Sequence, residues 1–203
     1  SMIIYSNTNT TGLIRCRNFQ YNRMEKGDVL ECENMDKYSI GMSGCYACSV
    51  HCRHRYILTE GPYAPLFGEG PEYTSQGAFG TEPDCPSLET VLVANHLVNK
   101  YGIDTLEIGS IIAWAMELYE KGIIDEKMTD GLRLEWGNCD AVIEMIHKIA
   151  KREGFGNILA DGILPAIEKI GKESEYYAIQ VKGMSNLHSD ERPTPSFALG
   201  IAT

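Results

Sequence analysis

The sequence predicts a mainly α, multihelical domain with long irregular loops. Apolar residues recur at helical spacing from Ser87 to Ile170, and capping residues stand where those runs begin and end. Strand-like alternation is confined to residues 176–184 and a few positions near the N-terminus. The 203 residues, 43% of them apolar, suit one globular domain or two small ones, and the helical pattern favours one. Its parts are a loop-rich stretch over 1–86, a helical stretch over 87–172, and a linker with a truncated element over 173–203.

From the N-terminus, Glu25 through Tyr38 is charged with scattered Val29, Leu30 and Met35, which suits an exposed helix or a solvated loop. Gly61 to Pro86 carries glycine and proline throughout and is expected to be a long irregular connection. Ser87 can cap a helix carrying Leu88, Val91 and Leu92 on one face, with Gly102 as its stop. Asp104 or Thr105 can cap a second helix with the stripe Ile108, Ile111, Ile112, Ala115 and Tyr119, ending at Gly122, and the two helices are expected to form a hairpin. A third helix follows Gly137-Asn138 with Ala141, Val142, Met145, Ile146 and Ile149 on one face. A fourth, from about Gly162 to Ile170, tolerates Pro165 because the first turn leaves that amide donor unused. The chain ends on the apolar run Phe197–Ala202 after a proline-rich loop, which reads as an element cut off near its start and a piece of a longer chain.

The strongest chemical signal is Cys45-x2-Cys48-x3-Cys52. Thiolates each bind one iron of a [4Fe–4S] cluster, and a short loop can supply three corners while the fourth arrives from elsewhere. Two other readings stay open. Zinc needs four ligands in tetrahedral geometry, and His51 or His54 stands close enough in sequence to join the thiolates. A disulfide framework is the third, although seven cysteines is an odd number. Cys16, Cys32, Cys85 and Cys139 are scattered singly, as small buried apolar residues or as the source of a fourth ligand.

Charge and hydropathy exclude other classes. A formal net charge of −10 with no basic stripe works against nucleic acid. The longest apolar stretches fall far short of the about 20 residues a spanning helix needs, so a soluble, cytoplasmic protein is expected.

The ordered strings Arg17-Asn18-Phe19-Gln20, Gly44-Cys45-Tyr46-Ala47-Cys48 through Cys52, and Gly70-Pro71-Glu72-Tyr73 carry a family resemblance. It continues through Asn99-Lys100-Tyr101-Gly102-Ile103-Asp104-Thr105, Trp136-Gly137-Asn138, Arg152-Glu153-Gly154, Leu159-Ala160-Asp161-Gly162 and Val181-Lys182-Gly183-Met184. Together they resemble the tungsten-dependent aldehyde ferredoxin oxidoreductases over nearly the whole chain. The resemblance implies the multihelical, orthogonal middle domain of a three-domain enzyme. It implies Cys45, Cys48 and Cys52 as ligands of a [4Fe–4S] cluster, with the fourth ligand beyond Thr203. It also implies contact of Asp104 and the neighbourhood of Ile108 with a tungsten (or molybdenum) bis-pterin. Asp104 is at the same time a plain helix cap. Glu72 would shuttle a proton as water attacks the aldehyde carbon, provided burial raises its pKa, or its string simply shapes the loop. A single-iron site at a dimer interface, built from glutamate and histidine in some family members, is not carried over.

Ferredoxin, an aldehyde and the other domains of the parent are the implied partners, with a homo-oligomer also expected from the apolar tail. The isolated piece is expected to be inactive and to lack the pterin. Two other functions stay in view: a related tungsten reductase of aromatic thioesters, and a non-catalytic iron–sulfur or zinc module.

Overall fold

The computed structural model describes residues 9–171 and 173–203. The expected helices form with the expected caps. Helix α3 (Leu88–Tyr101) starts where Ser87 Oγ accepts from Thr90 N at 3.2 Å, and stops at Gly102 in the left-handed conformation, φ 68°. Helix α4 (Thr105–Glu120) is capped by Asp104, whose Oδ1 accepts from Glu107 N at 2.9 Å. Helix α5 (Cys139–Lys151) opens with Asn138 Oδ1 accepting from Ala141 N at 3.2 Å. Helix α7 (Ile163–Ile170) holds Pro165 in its first turn, where it displaces no hydrogen bond. A short helix α6 (Phe155–Leu159) lies between them, too brief to show a period.

The core is one cluster. Val91, Leu92 and Val98 of α3, Val142, Met145 and Ile146 of α5, and Ile111, Ile112, Trp114, Ala115 and Leu118 of α4 are buried within it. Helix α4 is buried over most of its circumference, as a central helix should be. The expected α3–α4 hairpin does not form. Helix α3 packs on α5, and α3 and α4 meet chiefly through a shared neighbour, the segment 73–81. Three residues between the helices turn the chain, and the apolar face of α4, wider than one stripe, docks on other elements.

The first 86 residues hold more structure than expected. A 3-10 turn (Gly27–Leu30) and helix α1 (Cys32–Met35) bury Leu30 and Met35. Strands β1 (Ser39–Ser43), β2 (Arg53–Leu58) and β3 (Leu66–Gly70) form an antiparallel sheet in the order β1-β2-β3. Tyr56 on β2 is buried and its hydroxyl donates to Leu92 O at 2.7 Å. Its partner in the register is Gly68, where an added Cβ would lie 2.4 Å from the Tyr56 ring. The irregular connection expected over 61–86 is corrected: β3 is followed by helix α2 (Tyr73–Gln76) and a π-helix (Gly77–Thr81) whose residues are all buried. Glycine there serves close packing rather than looseness. The π-helix lies against α4 at Gly109, whose missing Cβ would stand 2.4 Å from that of Ala78.

The strand-like run 176–184 is also corrected. It begins in a 3-10 turn (Ser174–Tyr177) and folds back on itself as β4 (Gln180–Val181) and β5 (Met184–Ser185) about Lys182-Gly183, both at positive φ. Alternation cannot tell one strand from two halves of a tight hairpin. The apolar tail forms helix α8 (Pro195–Ala202). The strand-like positions near the N-terminus lie partly outside the described residues; among the described ones, Ile14 bridges Ser189 and Cys16 bridges Tyr21. Cys85 and Cys139, read as single residues, are joined in a disulfide with their Cα atoms 5.4 Å apart.

Candidate functional site

Cys45, Cys48 and Cys52 lie on the connection between β1 and β2, residues 44–52, closed at its base by the pairing of Ser43 with Arg53. Cys48 N donates to Cys45 O at 3.0 Å, making a turn between the first two cysteines. Ala47 and His51 adopt positive φ of 57° and 48°, which bends the loop ahead of Cys48 and of Cys52. Arg53 Nη2 donates to Gly44 O at 3.3 Å and fastens the loop's entry to its exit. All three thiols are free; Cys45 is exposed and the others are half-buried. Among the described residues no three His, Cys, Asp or Glu side chains are gathered into a metal-holding group. The donor set nevertheless fits an iron–sulfur cluster: three accessible, unbonded thiols on one short loop, with a corner left for a further ligand.

The histidines fit zinc less well. His54 sits in β2 and its Nδ1 is 3.1 Å from Ser39 Oγ, while the His51 ring lies against Gly44. Of the scattered cysteines, Cys32 is free and half-buried, with its thiol donating to Glu33 Oε2 at 3.3 Å. Cys16 is buried beside Asp84 and its thiol is pushed up to about 12, by burial first and then by the Asp84 charge. Cys85 and Cys139 are bonded to each other.

The sheet carries the loop toward Glu72. His54, two residues past Cys52, pairs with Gly70, two residues before Glu72. Glu72 is half-buried, and its carbonyl accepts from Ser75 N at 3.1 Å and Gln76 N at 3.3 Å to start α2. Burial holds His54 below the ordinary imidazole range, opposed by the nearby Asp36 and Glu72 carboxylates.

Asp104 and Ile108 part company. Asp104 is exposed at the start of α4, whereas Ile108 is 2% exposed with its side chain in the core. What this end of α4 exposes is the helix start and not the Ile108 side chain. Sequence reasoning passed over Glu107, which ties three segments together. Its Oε1 accepts from Ile163 N at 3.0 Å at the start of α7, and its Oε2 accepts from Ser185 N at 3.1 Å in β5. A helix-start glutamate reads as an ordinary capping-region acid, so its reach was not visible.

A second group missed in the sequence is buried behind these elements. Arg15, Glu82 and His188 are at most 1% exposed; Glu82 Oε1 lies 2.5 Å from Arg15 Nε and 2.9 Å from His188 Nδ1. Those contacts are out of line for hydrogen bonding, and Glu82 Oε2 and His188 Nε2 have no hydrogen-bond partner among the described residues. Burial lowers the Arg15 pKa, which Glu82, Glu191 and Glu117 oppose. Arg15 also donates to Ser110 Oγ at 3.2 Å and Asn186 O at 3.2 Å, and Tyr73 Oη donates to His188 O at 3.1 Å, so the segment 186–188 is held against α2 and α4. The glutamate–histidine iron site was not carried over, yet a Glu-x-x-His pair is present in the sequence. Glu144 and His147 stand three apart on α5, with His147 Nδ1 2.9 Å from Tyr101 Oη.

Comparison with known proteins agrees with this arrangement of motifs. The family described as aldehyde ferredoxin oxidoreductase, domains 2 and 3, matches residues 1–203. The tungsten-containing aldehyde ferredoxin oxidoreductase of Pyrococcus abyssi is 38% identical over 96% of this chain, and that of Pyrococcus furiosus 36% over 96%. The chain spans 32% of the length of each of these relatives. A Pyrococcus furiosus protein named aliphatic sulfonate oxidoreductase, WOR-like subunit, is 34% identical over 69% of the chain and 23% of its own length. Among solved structures, the active site complex BamBC of benzoyl coenzyme A reductase, bound to 1,5-dienoyl-CoA, has the same fold with a TM-score of 0.75. It is 23% identical over 93% of this chain and 28% of its own. The chain belongs to the aldehyde ferredoxin oxidoreductase family.

Proposed function

We propose that the chain is the cluster-bearing part of a tungstopterin oxidoreductase that oxidises aldehydes to carboxylates and delivers the electrons to ferredoxin. The single observation that carries this reading is the hairpin connection 44–52, with three free thiols fastened at its base by Arg53. Cys45, Cys48 and Cys52 would hold three corners of a [4Fe–4S] cluster, with the fourth ligand outside this chain. The pterin-bound metal would supply the two-electron oxidation, and the cluster held by these thiolates would carry the electrons away.

The remaining roles fall to the chain's own carboxylates. Asp104 presents an exposed carboxylate at the start of α4 that can accept from the N–H and amino donors of a pterin, while the same group caps the helix. Glu107 keeps that helix start in place by holding α7 and β5 against it. Glu72, half-buried and joined to the cysteine loop through the sheet, would take and return the proton of the attacking water at its carboxylate. The aldehyde, the ferredoxin and the other domains of the parent complete the site, and association of parent chains into oligomers belongs to this reading.

Full-length parent enzyme assayed with an aldehyde and a viologen acceptor tests the proposal. Glu72→Gln should lower kcat by about 100-fold or more with the iron content unchanged. Aldehyde left unoxidised while an aromatic thioester is reduced would replace this reading with the thioester reductase.

A further inference from the structure

Cys85 and Cys139 play no part in the cofactor reading, yet they join elements far apart in sequence. Cys85 is fully buried in the turn after the π-helix, two residues before the Ser87 cap of α3. Cys139 is half-buried at the first residue of α5, where unpaired amides of the helix start favour a negatively charged sulfur. Their bond closes a separation of 54 residues. Beside it runs a backbone hydrogen bond, Gly137 N to Pro83 O at 2.9 Å, and beyond it α5 is attached through its apolar face to α3. Ala141, Val142 and Met145 on that face are fully buried, so the helix keeps its seat when the sulfurs part.

We propose that the Cys85–Cys139 bond is a redox-sensitive staple, opened by an external dithiol that enters at Cys139 and frees the start of α5 from the 83–87 turn. A thiolate of the dithiol attacks Cys139 Sγ, because Cys85 is closed to approach; the protein S–S bond breaks and Cys85 leaves as a thiolate and is protonated. The second thiol of the reductant then attacks the reductant's first sulfur in the mixed disulfide and expels Cys139 as a thiolate, which takes up the second proton. The dithiol ends as a disulfide, and the protein gains two electrons and two protons. Losing so long a closed loop lowers the melting temperature by about 10 °C while the apolar core holds the fold together.

The test uses the metal-free chain and dithiothreitol. Alkylation after denaturation should label the five free cysteines before reduction and all seven after it. Reduction should lower the melting temperature by about 10 °C in wild type and leave it unchanged in Cys139→Ser. In Cys85→Ser, oxidised glutathione should add to Cys139. Seven labelled cysteines without reductant, or equal melting temperatures for the oxidised and reduced chain, would overturn the proposal.

Discussion

Single residues separate what is chemically available from what is merely present. Cys45, Cys48 and Cys52 are free and reachable, whereas Cys16 is buried with its thiol pushed up to about 12. The spacing of the three was plain in the sequence because it needs no tertiary information, while the engagement of Cys85 and Cys139 was not, because it joins positions that meet only in the fold. Glu117 makes a further prediction at this scale. It accepts from Asn18 Nδ2 at 2.6 Å and Gln20 Nε2 at 3.2 Å, but burial dominates and its pKa is raised. In the window between the ordinary glutamate value and that raised value, the folded state binds more protons than the unfolded one. Stability contributed through Glu117 therefore falls as pH rises through the window. Carboxyl NMR titration should find Glu117 above the ordinary glutamate range; a midpoint at or below that range would contradict this.

Elements were legible where local rules decide them. Ser87, Asp104 and Asn138 cap α3, α4 and α5 as their positions in the sequence suggested, since a cap and a helical stripe are contained in a few neighbouring residues. The β1-β2-β3 sheet was hidden because β2 reads Arg-His-Arg-Tyr-Ile-Leu and gains its place from Tyr56 packing and from partners on either side. Segment 61–86 was hidden because glycine marks both loops and close packing, and only the neighbour distinguishes them. Asp104→Ala should cost about 1 kcal/mol of stability, readable as a lower urea midpoint with an unchanged slope. Gly109→Val should cost more, about 1–3 kcal/mol, because the new side chain meets the π-helix at Ala78. An unchanged midpoint in Gly109→Val would contradict the close approach of α4 to the π-helix.

For the molecule as a whole, the helical core serves to hold the cysteine loop, Glu72 and Asp104 on elements that share partners. The sheet joins the loop to Glu72, Arg15 holds the 186–188 segment against α4, and Glu107 ties the start of α4 to α7 and β5. That coupling was outside the reach of sequence reasoning, since Arg15, Glu82, Glu107 and His188 each look ordinary in isolation. Their burial together predicts that Arg15→Ala is among the most damaging single changes, leaving Glu82 buried without its guanidinium at a cost of about 3–5 kcal/mol. Thermal unfolding of Arg15→Ala checks this, and a melting temperature equal to wild type would show that the buried pair is dispensable.

A cluster held by the cysteine loop is the root of the proposed function. Anaerobic reconstitution of the chain with iron and sulfide, followed by iron analysis and electron paramagnetic resonance of the reduced sample, compares wild type with Cys48→Ser. A cubane signal is expected in wild type, and its loss in Cys48→Ser. No iron uptake by wild type, with zinc bound at the loop instead, would contradict it.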